Sequence, residues 1–326
     1  MDKARVTQIG VVVNDLEKTM ERYYNIMGWG PWRVYELKKP RHHDTKLNNI
    51  NSFYTSRIAE TTVGGIDFEL IQPLEGESIY KDHLKKYGEG MHHIACMSSS
   101  QDYKRDIERY KKEGFEVVMN GSIDDIHYFY LNTESELKFI LELGSGHASS
   151  LEPDWVFPEE QVNNNPISIT QIAVVTSDIK ESLEKYNKIL GWGPWNVYEL
   201  NNKRLDETSV YGEDSGYSSI IAETDLGNVD FELIEPISGD NIYSDYIKEK
   251  GELLHHLACM GSNADFKELR EYFIKECGFN EIMTGRIDKK INYYYLNTES
   301  ALKLILESGS GHARSLTPDW TYPNHQ

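Results

Sequence analysis

Four polar residues in the first half of the chain have side chains that could act together on one ligand. Gln8 and His93 lie near the starts of the strand-like runs TQIGVVV and HHIACM, while Glu69 and Glu142 lie in DFELIQP and FILELG. Carboxylates and imidazoles transfer protons, and with amide oxygens they also bind divalent cations. The second half repeats the same set as Gln171, Glu232, His256 and Glu307.

A long internal repeat explains why the set occurs twice. The segment TQIGVVVNDLEKTMERYYNIMGWGPWRVYEL from Thr7 matches TQIAVVTSDIKESLEKYNKILGWGPWNVYEL from Thr170, and the match continues to SLEPDWVFP and SLTPDWTYP. Chance does not produce a repeat of this length. The polar stretch EEQVNNNPIS separates the copies. We therefore predict a first domain at 1–158, a linker at 159–167 and a second domain at 168–326.

Each copy contains a fainter repeat of its own. The first module of the first copy has a strand at Val6–Val13, a helix with Asn14 as N-cap and Gly28 as its stop, and strands at 52–61 and 65–72. The second module has a strand at His92–Met97, a helix ending at Gly114, and strands near 115–120, 126–131 and 137–143. These assignments follow from apolar periodicity and from capping residues. The pattern predicts an α+β chain of four βαβββ modules.

The four polar residues occupy matched positions in these modules. Gln8 and His93 begin equivalent first strands, whereas Glu69 and Glu142 lie on the last strand of each module and are both followed by leucine. Because side chains alternate across a strand, each residue has a defined face. A two-fold arrangement of the modules could therefore aim all four groups at one point.

This doubled module resembles the vicinal oxygen chelate (VOC) superfamily, the fold of glyoxalases, bleomycin resistance proteins and certain dioxygenases. The segments GVVVNDLEKTMERYYNIMGWG, FELIQP, GEGMHHIA and FILELG are similar to methylmalonyl-CoA epimerases, whereas the set Gln, Glu, His, Glu resembles the ligand set of glyoxalase I. The resemblance covers nearly the whole chain and implies two tandem glyoxalase-like domains with curved mixed sheets. It implies metal ligation by Gln8, Glu69, His93 and Glu142, and by Gln171, Glu232, His256 and Glu307. It also implies Glu142 and Glu307 as general bases.

The implied chemistry has a physical rationale. A divalent ion held by three oxygen ligands and one imidazole polarises a carbonyl and stabilises the enediolate that forms when the adjacent carbon loses its proton. Zinc, cobalt, nickel and manganese all suit such a ligand set. The resemblance thus predicts a metal-dependent isomerase or lyase, of epimerase or glyoxalase type, that acts on a small α-substituted carbonyl compound.

The chain departs from the epimerase pattern at one position, and two other functions remain as alternatives. Epimerases of this superfamily carry a second acid/base on the strand before the second metal-ligand strand, where our register places Arg57 and Ile220. Glu60 and Glu223 are near, but a shift of three residues assigns them to the other face. An iron(II) extradiol dioxygenase would need two histidines and one carboxylate, and glutamine stands at the first of these positions. A non-catalytic sequestering protein of bleomycin resistance type would leave buried carboxylates without a partner.

Other aromatic and basic residues receive simpler interpretations. Strand alternation places His92 and His255 opposite the predicted ligands, on the face of Cys96 and Cys259, so we expect all four to pack in the core against the helices. In GWGPW, Trp29 and Trp32 with their counterparts either form the wall of a pocket for an apolar or aromatic substrate part or pack at the domain interface. The triplet Arg41, His42 and His43 becomes Arg204, Leu205 and Asp206 in the second copy; we predict a surface loop, and the difference allows unequal sites.

Composition narrows the classes of partner and compartment. A formal net charge of −19 argues against nucleic acid binding, which relies on clustered lysine and arginine. We find no apolar run of the ~18 residues that a membrane span requires. Three cysteines and the absence of a signal-like start predict a cytoplasmic protein. The expected partner is a small-molecule carbonyl substrate. The two copies should pack as a pseudo-dimer within one chain, and association into a homo-oligomer is left open.

Overall fold

The computed structural model describes residues 3–97, 102–159, 167–261 and 265–323. The chain divides into two compact units. The N-terminal unit comprises Arg5–Ile167 and Ala301–Lys303, and the C-terminal unit comprises Met1–Ala4, Ser168–Ser300 and Leu304–Gln326. Residues 160–166 of the predicted linker lie outside the described part of the chain.

A mixed sheet of eleven strands organises the N-terminal unit. Its strands are β1 (Gln8–Val12), β2 (Trp32–Leu37), β3 (His42–Leu47), β4 (Ile50–Asn51), β5 (Ser56–Val63), β6 (Ile66–Pro73), β7 (Gly90–Ala95), β8 (Val117–Ile123), β9 (Ile126–Leu131), β10 (Ile140–Gly144) and β11 (Trp155–Phe157). The strands follow the order β11-β2-β5-β6-β1-β7-β10-β9-β8-β3-β4. The first module supplies β2-β5-β6-β1, and the second supplies β7-β10-β9-β8.

The strand order brings the predicted site residues onto neighbouring strands. Within each module the first strand pairs parallel with the last, as β1 does with β6 and β7 with β10. The two modules join through the antiparallel pair β1 and β7. The central strands therefore run β6-β1-β7-β10, and each carries one of the four predicted ligands.

Four helices accompany this sheet: α1 (Leu16–Met27), α2 (Ile79–Tyr87), α3 (Tyr103–Lys112) and α4 (Glu134–Leu137). The first helix begins one residue later than predicted, because the Asp15 carboxylate, and not the Asn14 side chain, accepts the Lys18 N–H at 3.1 Å. It ends as predicted at Gly28, which has the left-handed φ of 68° that glycine tolerates.

The C-terminal unit repeats this architecture. Its strands are β12 (Gln171–Val175), β13 (Trp195–Leu200), β14 (Leu205–Val210), β15 (Glu213–Asp214), β16 (Ser218–Asp225), β17 (Asp230–Ser238), β18 (Leu254–Ala258), β19 (Glu281–Ile287), β20 (Ile291–Leu296), β21 (Ile305–Gly309) and β22 (Trp320–Tyr322). Its helices are α5 (Ile179–Leu190), α6 (Ile242–Lys250), α7 (Phe266–Glu271) and α8 (Glu299–Leu302). The strands follow the order β15-β14-β19-β20-β21-β18-β12-β17-β16-β13-β22. The equivalent strands of the first sheet have the same neighbours, with the order written from the opposite edge. The α+β prediction with tandem modules is confirmed.

The tryptophans of GWGPW pack in an aromatic cluster between α1 and the sheet. Trp29 stacks on Tyr23 at 5.0 Å between ring centroids and meets Phe68 edge-on at 4.8 Å. Trp29 and Trp32 are 1% and 0% exposed, and neither lines the cavity described below. The pocket-wall interpretation was therefore wrong for Trp29 and Trp32, which pack in the core of their own unit.

None of the helices in the described ranges is long and apolar enough to cross a membrane.

Candidate metal centre

Three of the four predicted ligands in the N-terminal unit converge on one point. One ligand atom from each of Glu69, His93 and Glu142 lies within 4.8 Å of the others. His93 Nε2 is 3.0 Å from Glu142 Oε2 and 3.6 Å from Glu69 Oε2. All three side chains are buried, with His93 fully so. The strand order β6-β1-β7-β10 brings these residues together, since they lie on β6, β7 and β10.

The C-terminal unit contains the same cluster. Glu232, His256 and Glu307 again place one ligand atom each within 4.8 Å of the others. His256 Nε2 is 2.8 Å from Glu307 Oε2 and 3.7 Å from Glu232 Oε2. The geometry of the two clusters thus agrees to within 0.2 Å in both distances, although their amino-acid sequences were free to diverge.

The atoms that face one another in these clusters have no hydrogen-bond partner. In the N-terminal unit they are Glu69 Oε2, His93 Nε2 and Glu142 Oε2, and in the C-terminal unit they are Glu232 Oε2, His256 Nε2 and Glu307 Oε2. The imidazole and the last-strand carboxylate approach closely without the alignment that a hydrogen bond needs. Buried polar atoms left unpaired cost about 1–3 kcal/mol each, and unpaired charges cost more. A divalent cation among oxygen and imidazole donors would satisfy all of them at once.

The predicted glutamine ligand lies beside the cluster and is held by a second carboxyl group. Gln8 Nε2 donates to Glu60 Oε1 at 2.7 Å, and Gln171 Nε2 donates to Glu223 Oε1 at 3.0 Å. Because the amide nitrogen is committed to this bond, the amide oxygen is the atom that a cation would use. Gln8 lines the same cavity as Glu69 and Glu142.

Glu60 and Glu223 belong to the site, and our sequence register missed them. Glu60 lies on β5 directly opposite Glu69 and is 1% exposed. Arg57, which we expected at the acid/base position, faces away and pairs with Glu17. That register was wrong because Ile58 and Glu60, not Arg57, are on the cavity face of β5. The signal was the identical segment IAET in both copies, which repeats a glutamate at the same point of the strand directly after an apolar pair.

Burial and mutual repulsion disfavour ionised carboxyl groups in both sites. Burial raises the pKa of Glu60 to about 8 and that of Glu223 to about 7. The pKa of Glu69 is raised well above its usual range by burial and then by Glu60 and Glu142. Burial also raises the pKa of Glu307 to about 8. A cation at the centre would reverse this penalty, because it favours the ionised form of each neighbouring carboxyl group.

A β-bulge adds a second imidazole behind the clustered histidine. In β7, Gly10 pairs with His93 and Val11 pairs with Met91, so His92 is the extra residue. The bulge interrupts strict alternation, and His92 Nδ1 lies 3.0 Å from His93 Nδ1. His92 also packs against α2, at 5.3 Å from Tyr80, as predicted. The C-terminal unit repeats the contact between His255 and His256 at 2.9 Å. Cys96 and Cys259 are buried, as predicted.

Each cluster opens into a cavity with an apolar and phenolic wall. Counted out to the open solvent at its mouth, the space in the cavity of the N-terminal unit is about 380 Å³, and that in the C-terminal unit is about 440 Å³. The wall residues of the first cavity are Leu37, Ile58, Tyr80, Met97, Ile123, Ile126, Tyr128, Tyr130, His147 and Ala148. Their counterparts in the second are Leu200, Ile221, Tyr243, Met260, Ile287, Ile291, Tyr293, Tyr295, His312 and Ala313. The two walls therefore offer almost the same side chains to a ligand.

His147 and His312 are further residues of the wall that the sequence analysis did not single out. Neither ring nitrogen of His147 has a hydrogen-bond partner. Burial lowers the pKa of His147 and lowers that of His312 to about 4. Both imidazoles are thus neutral at physiological pH. The repeated segment GSGHA, which follows the last-strand glutamate in each copy, was the available signal.

The largest difference between the sites lies behind the phenolic wall. His42 Nε2 contacts the Tyr128 hydroxyl at 2.6 Å, and this hydroxyl is also 2.6 Å from the Tyr54 hydroxyl. His42 is 3% exposed and begins β3, so the surface-loop prediction was wrong for this residue. At the equivalent position Leu205 leaves the Tyr217 and Tyr293 hydroxyls bonded only to each other among the described contacts.

Exchanging His42 for the leucine of the second copy should reduce acid sensitivity. Burial lowers the pKa of His42 from 6.5 to about 4. Between pH 6.5 and about 4, His42 binds a proton in the unfolded chain but not in the folded chain. The free energy of unfolding therefore falls as the pH drops through this range. The full penalty is about 3 kcal/mol. Thermal unfolding of wild type and His42→Leu at pH 7 and near pH 4.5 should show the smaller loss in the variant. Equal losses would contradict this assignment.

One known protein family matches both copies of the repeat. The family model described as glyoxalase/bleomycin resistance protein/dioxygenase superfamily matches twice, at residues 7–130 and 170–293. These two matches cover most of the chain and correspond to the two copies of the repeat.

Individual relatives are more distant. The uncharacterized protein YqjC of Bacillus subtilis (strain 168) is 27% identical over 119 residues, which are 34% of this chain and 75% of that protein. A variant of 4-hydroxymandelate synthase from Streptomyces coelicolor has a TM-score of 0.57 at 12% identity, over 94% of this chain and 92% of the other. An Mn(II)-bound glyoxalase from Novosphingobium aromaticivorans has a TM-score of 0.49 at 10% identity, over 94% and 82%. At these identities the structural similarity establishes the fold alone.

Proposed function

Because the chain belongs to the glyoxalase/bleomycin resistance protein/dioxygenase superfamily through both of its halves, we propose that each unit is a divalent-metal centre that enolises a small α-substituted carbonyl compound. The chain is then an isomerase or lyase with two sites. The observation that carries this proposal is the set of buried, unpartnered atoms of Glu69, His93 and Glu142 and its repetition in the C-terminal unit.

The residues around the cluster have distinct roles in this proposal. Gln8, Glu69, His93 and Glu142 would hold the cation, with Gln171, Glu232, His256 and Glu307 as the second set. A bound divalent cation supplies Lewis acidity that stabilises an enediolate. Glu142 and Glu307 take the proton from the carbon beside the carbonyl, since each lies at the cluster and also lines the cavity.

Glu60 provides a second acid/base group in the N-terminal site, which our sequence register lacked. It is buried opposite Glu69, burial raises its pKa to about 8, and its Oε2 has no hydrogen-bond partner. It can therefore return a proton to the enediolate. Its counterpart Glu223 accepts the backbone N–H groups of Ala313 and Arg314 through its two oxygens, which favours the ionised form and a role in holding Gln171.

The donor set favours enolisation over ring cleavage. Only one histidine contributes to each described cluster, together with two glutamates. The ligand set of an iron(II) extradiol enzyme has two histidines and one carboxylate. A purely sequestering protein would leave the clustered carboxyl groups without a compensating charge.

Deuterium incorporation without oxygen tests the proposal. The full chain, loaded separately with zinc, cobalt, nickel and manganese, is incubated in D₂O with hydroxyacetone and with 2-hydroxyacetophenone. We expect metal-dependent exchange of hydrogen for deuterium at the carbon beside the carbonyl, and NMR measures its rate. The chelator-treated chain serves as the control. Turnover that requires oxygen would instead support a dioxygenase, and a metal-free chain that binds carbonyl compounds without exchange would support sequestration.

The histidine behind each cluster should tune metal affinity. Removing the contact between His92 Nδ1 and His93 Nδ1 frees the orientation and tautomer of His93. We expect His92→Phe, and likewise His255→Phe, to weaken cation binding about 10–100-fold at its own site. Competition with a metal-responsive dye measures the change, and His127→Phe is a control outside the cluster. Unchanged affinity in both variants would show that His92 and His255 only pack.

A further inference from the structure

The charges around each cavity differ from those expected for an anionic substrate. In the ligand set of the N-terminal unit, Glu69 and Glu142 carry one negative charge each when a cation is bound, whereas Gln8 and neutral His93 carry none. A divalent cation is therefore fully neutralised by its own ligands. A substrate carboxylate or phosphate entering the cavity would meet no net positive charge.

The walls supply no compensating cation. Among the described residues that line the two cavities there is neither lysine nor arginine. The imidazoles of His147 and His312 are neutral at physiological pH because burial lowers their pKa. Anion-binding sites in proteins depend on arginine, lysine or aligned backbone N–H groups, because desolvating an anion is costly.

Four arginines near the cavities in the chain are paired with carboxylates outside the walls. Arg57 lies on the other face of β5 and pairs with Glu17. Arg41 pairs with Asp124 and Asp154, and its counterpart Arg204 pairs with Asp288 and Asp319. Arg314 contacts Asp225 and Asp230 outside the wall.

We propose that both cavities select an uncharged α-hydroxycarbonyl or α-dicarbonyl substrate with a compact apolar body, and that they discriminate against carboxylates, phosphates and coenzyme A thioesters. This inference rests on the proposed function, since it assumes a bound cation. The isoleucine, leucine and methionine side chains of the walls suit an aliphatic or aromatic body.

A matched pair of ligands isolates the effect of charge. 2-Hydroxyacetophenone and mandelate both carry one phenyl ring and two vicinal oxygens, but only mandelate is an anion. Binding to the cobalt(II)-loaded full chain is measured by calorimetry and by the visible absorption of the metal. We expect 2-hydroxyacetophenone to bind at least about tenfold more tightly. Equal or tighter binding of mandelate, or failure of both ligands to bind a cobalt-loaded chain, would overturn the inference.

Adding a cation to the wall should change the preference. Met97 and Met260 line the cavities and are half-buried, so a lysine can place its ammonium group near the wall and its stem in the methionine position. We expect the double variant Met97→Lys and Met260→Lys to gain about tenfold in relative affinity for mandelate. The double variant Met97→Gln and Met260→Gln has similar length without charge and should leave the preference unchanged. A shift of the same size in the glutamine variant would also contradict the proposal.

Failure of the proposed function has its own signature. If the chain takes up no cobalt, the metal centre itself is refuted, and the substrate inference falls with it. If cobalt binds and its absorption changes with mandelate but not with 2-hydroxyacetophenone, the metal centre stands and only the substrate class is refuted.

Discussion

Replacing His93 by alanine should remove one of two bound cations, and replacing His256 should remove the other. Each histidine contributes the only imidazole of its described cluster, and each faces two glutamates that repel one another without a cation. We expect the affinity at the mutated site to fall by more than the 10–100-fold typical of residues that only support a ligand. Mass-spectrometric metal content and equilibrium dialysis of the purified full chain provide the measurement.

The controls for this experiment come from the chain itself. His43→Ala removes an exposed imidazole outside the cluster and should retain both cations. The double variant His93→Ala with His256→Ala should retain neither. One cation lost only with His256 would show that the N-terminal site is not a metal centre, and unchanged content in both single variants would contradict the assignment altogether.

Converting Glu142 and Glu307 to glutamine together should reduce deuterium exchange by about 10³-fold. Glutamine keeps an oxygen donor for the cation but cannot accept the proton from the substrate carbon. Both carboxyl groups line their cavities and lie at 3.0 and 2.8 Å from the clustered histidines. The exchange rate is followed by NMR at saturating metal, and metal content is measured in the same samples.

Single variants make this prediction more specific. If both sites work, Glu142→Gln or Glu307→Gln alone should leave the activity of the other site. Glu108→Gln, which removes an exposed carboxylate paired with Lys111, should leave exchange unchanged. Exchange that survives in the double variant with its metal still bound would exclude these glutamates as the base.

The elements that the sequence predicted are those governed by simple periodicities. The alternation of side chains assigned Gln8, Glu69 and Glu142 to their strands, and the repeated module indicated that these strands and that of His93 would come together. Their convergence follows from the pairing of the first strand with the last strand in each module. The end of the first helix could also be predicted, because Gly28 adopts the left-handed backbone conformation that is unfavourable for other residues.

The features that the sequence did not predict depend on tertiary register. The bulge in β7, where His92 is the extra residue, was missed because no local sequence pattern indicates a bulge. Glu60 was assigned to the wrong face because the register of β5 is set by its partners β2 and β6, not by its own sequence. His42 resembled a loop residue because its polar neighbours conceal a strand that pairs with β8, more than seventy residues away in the chain.

The phenolic wall of the two halves is backed by different hydrogen-bond networks. His42 Nε2 contacts the Tyr128 hydroxyl, which also contacts the Tyr54 hydroxyl, and Tyr54 donates to the Asn120 carbonyl. Where Leu205 replaces the imidazole, the Tyr217 and Tyr293 hydroxyls contact each other. A single histidine-to-leucine difference thus extends the polar network of the first half by one imidazole and ends that of the second half at its two phenols.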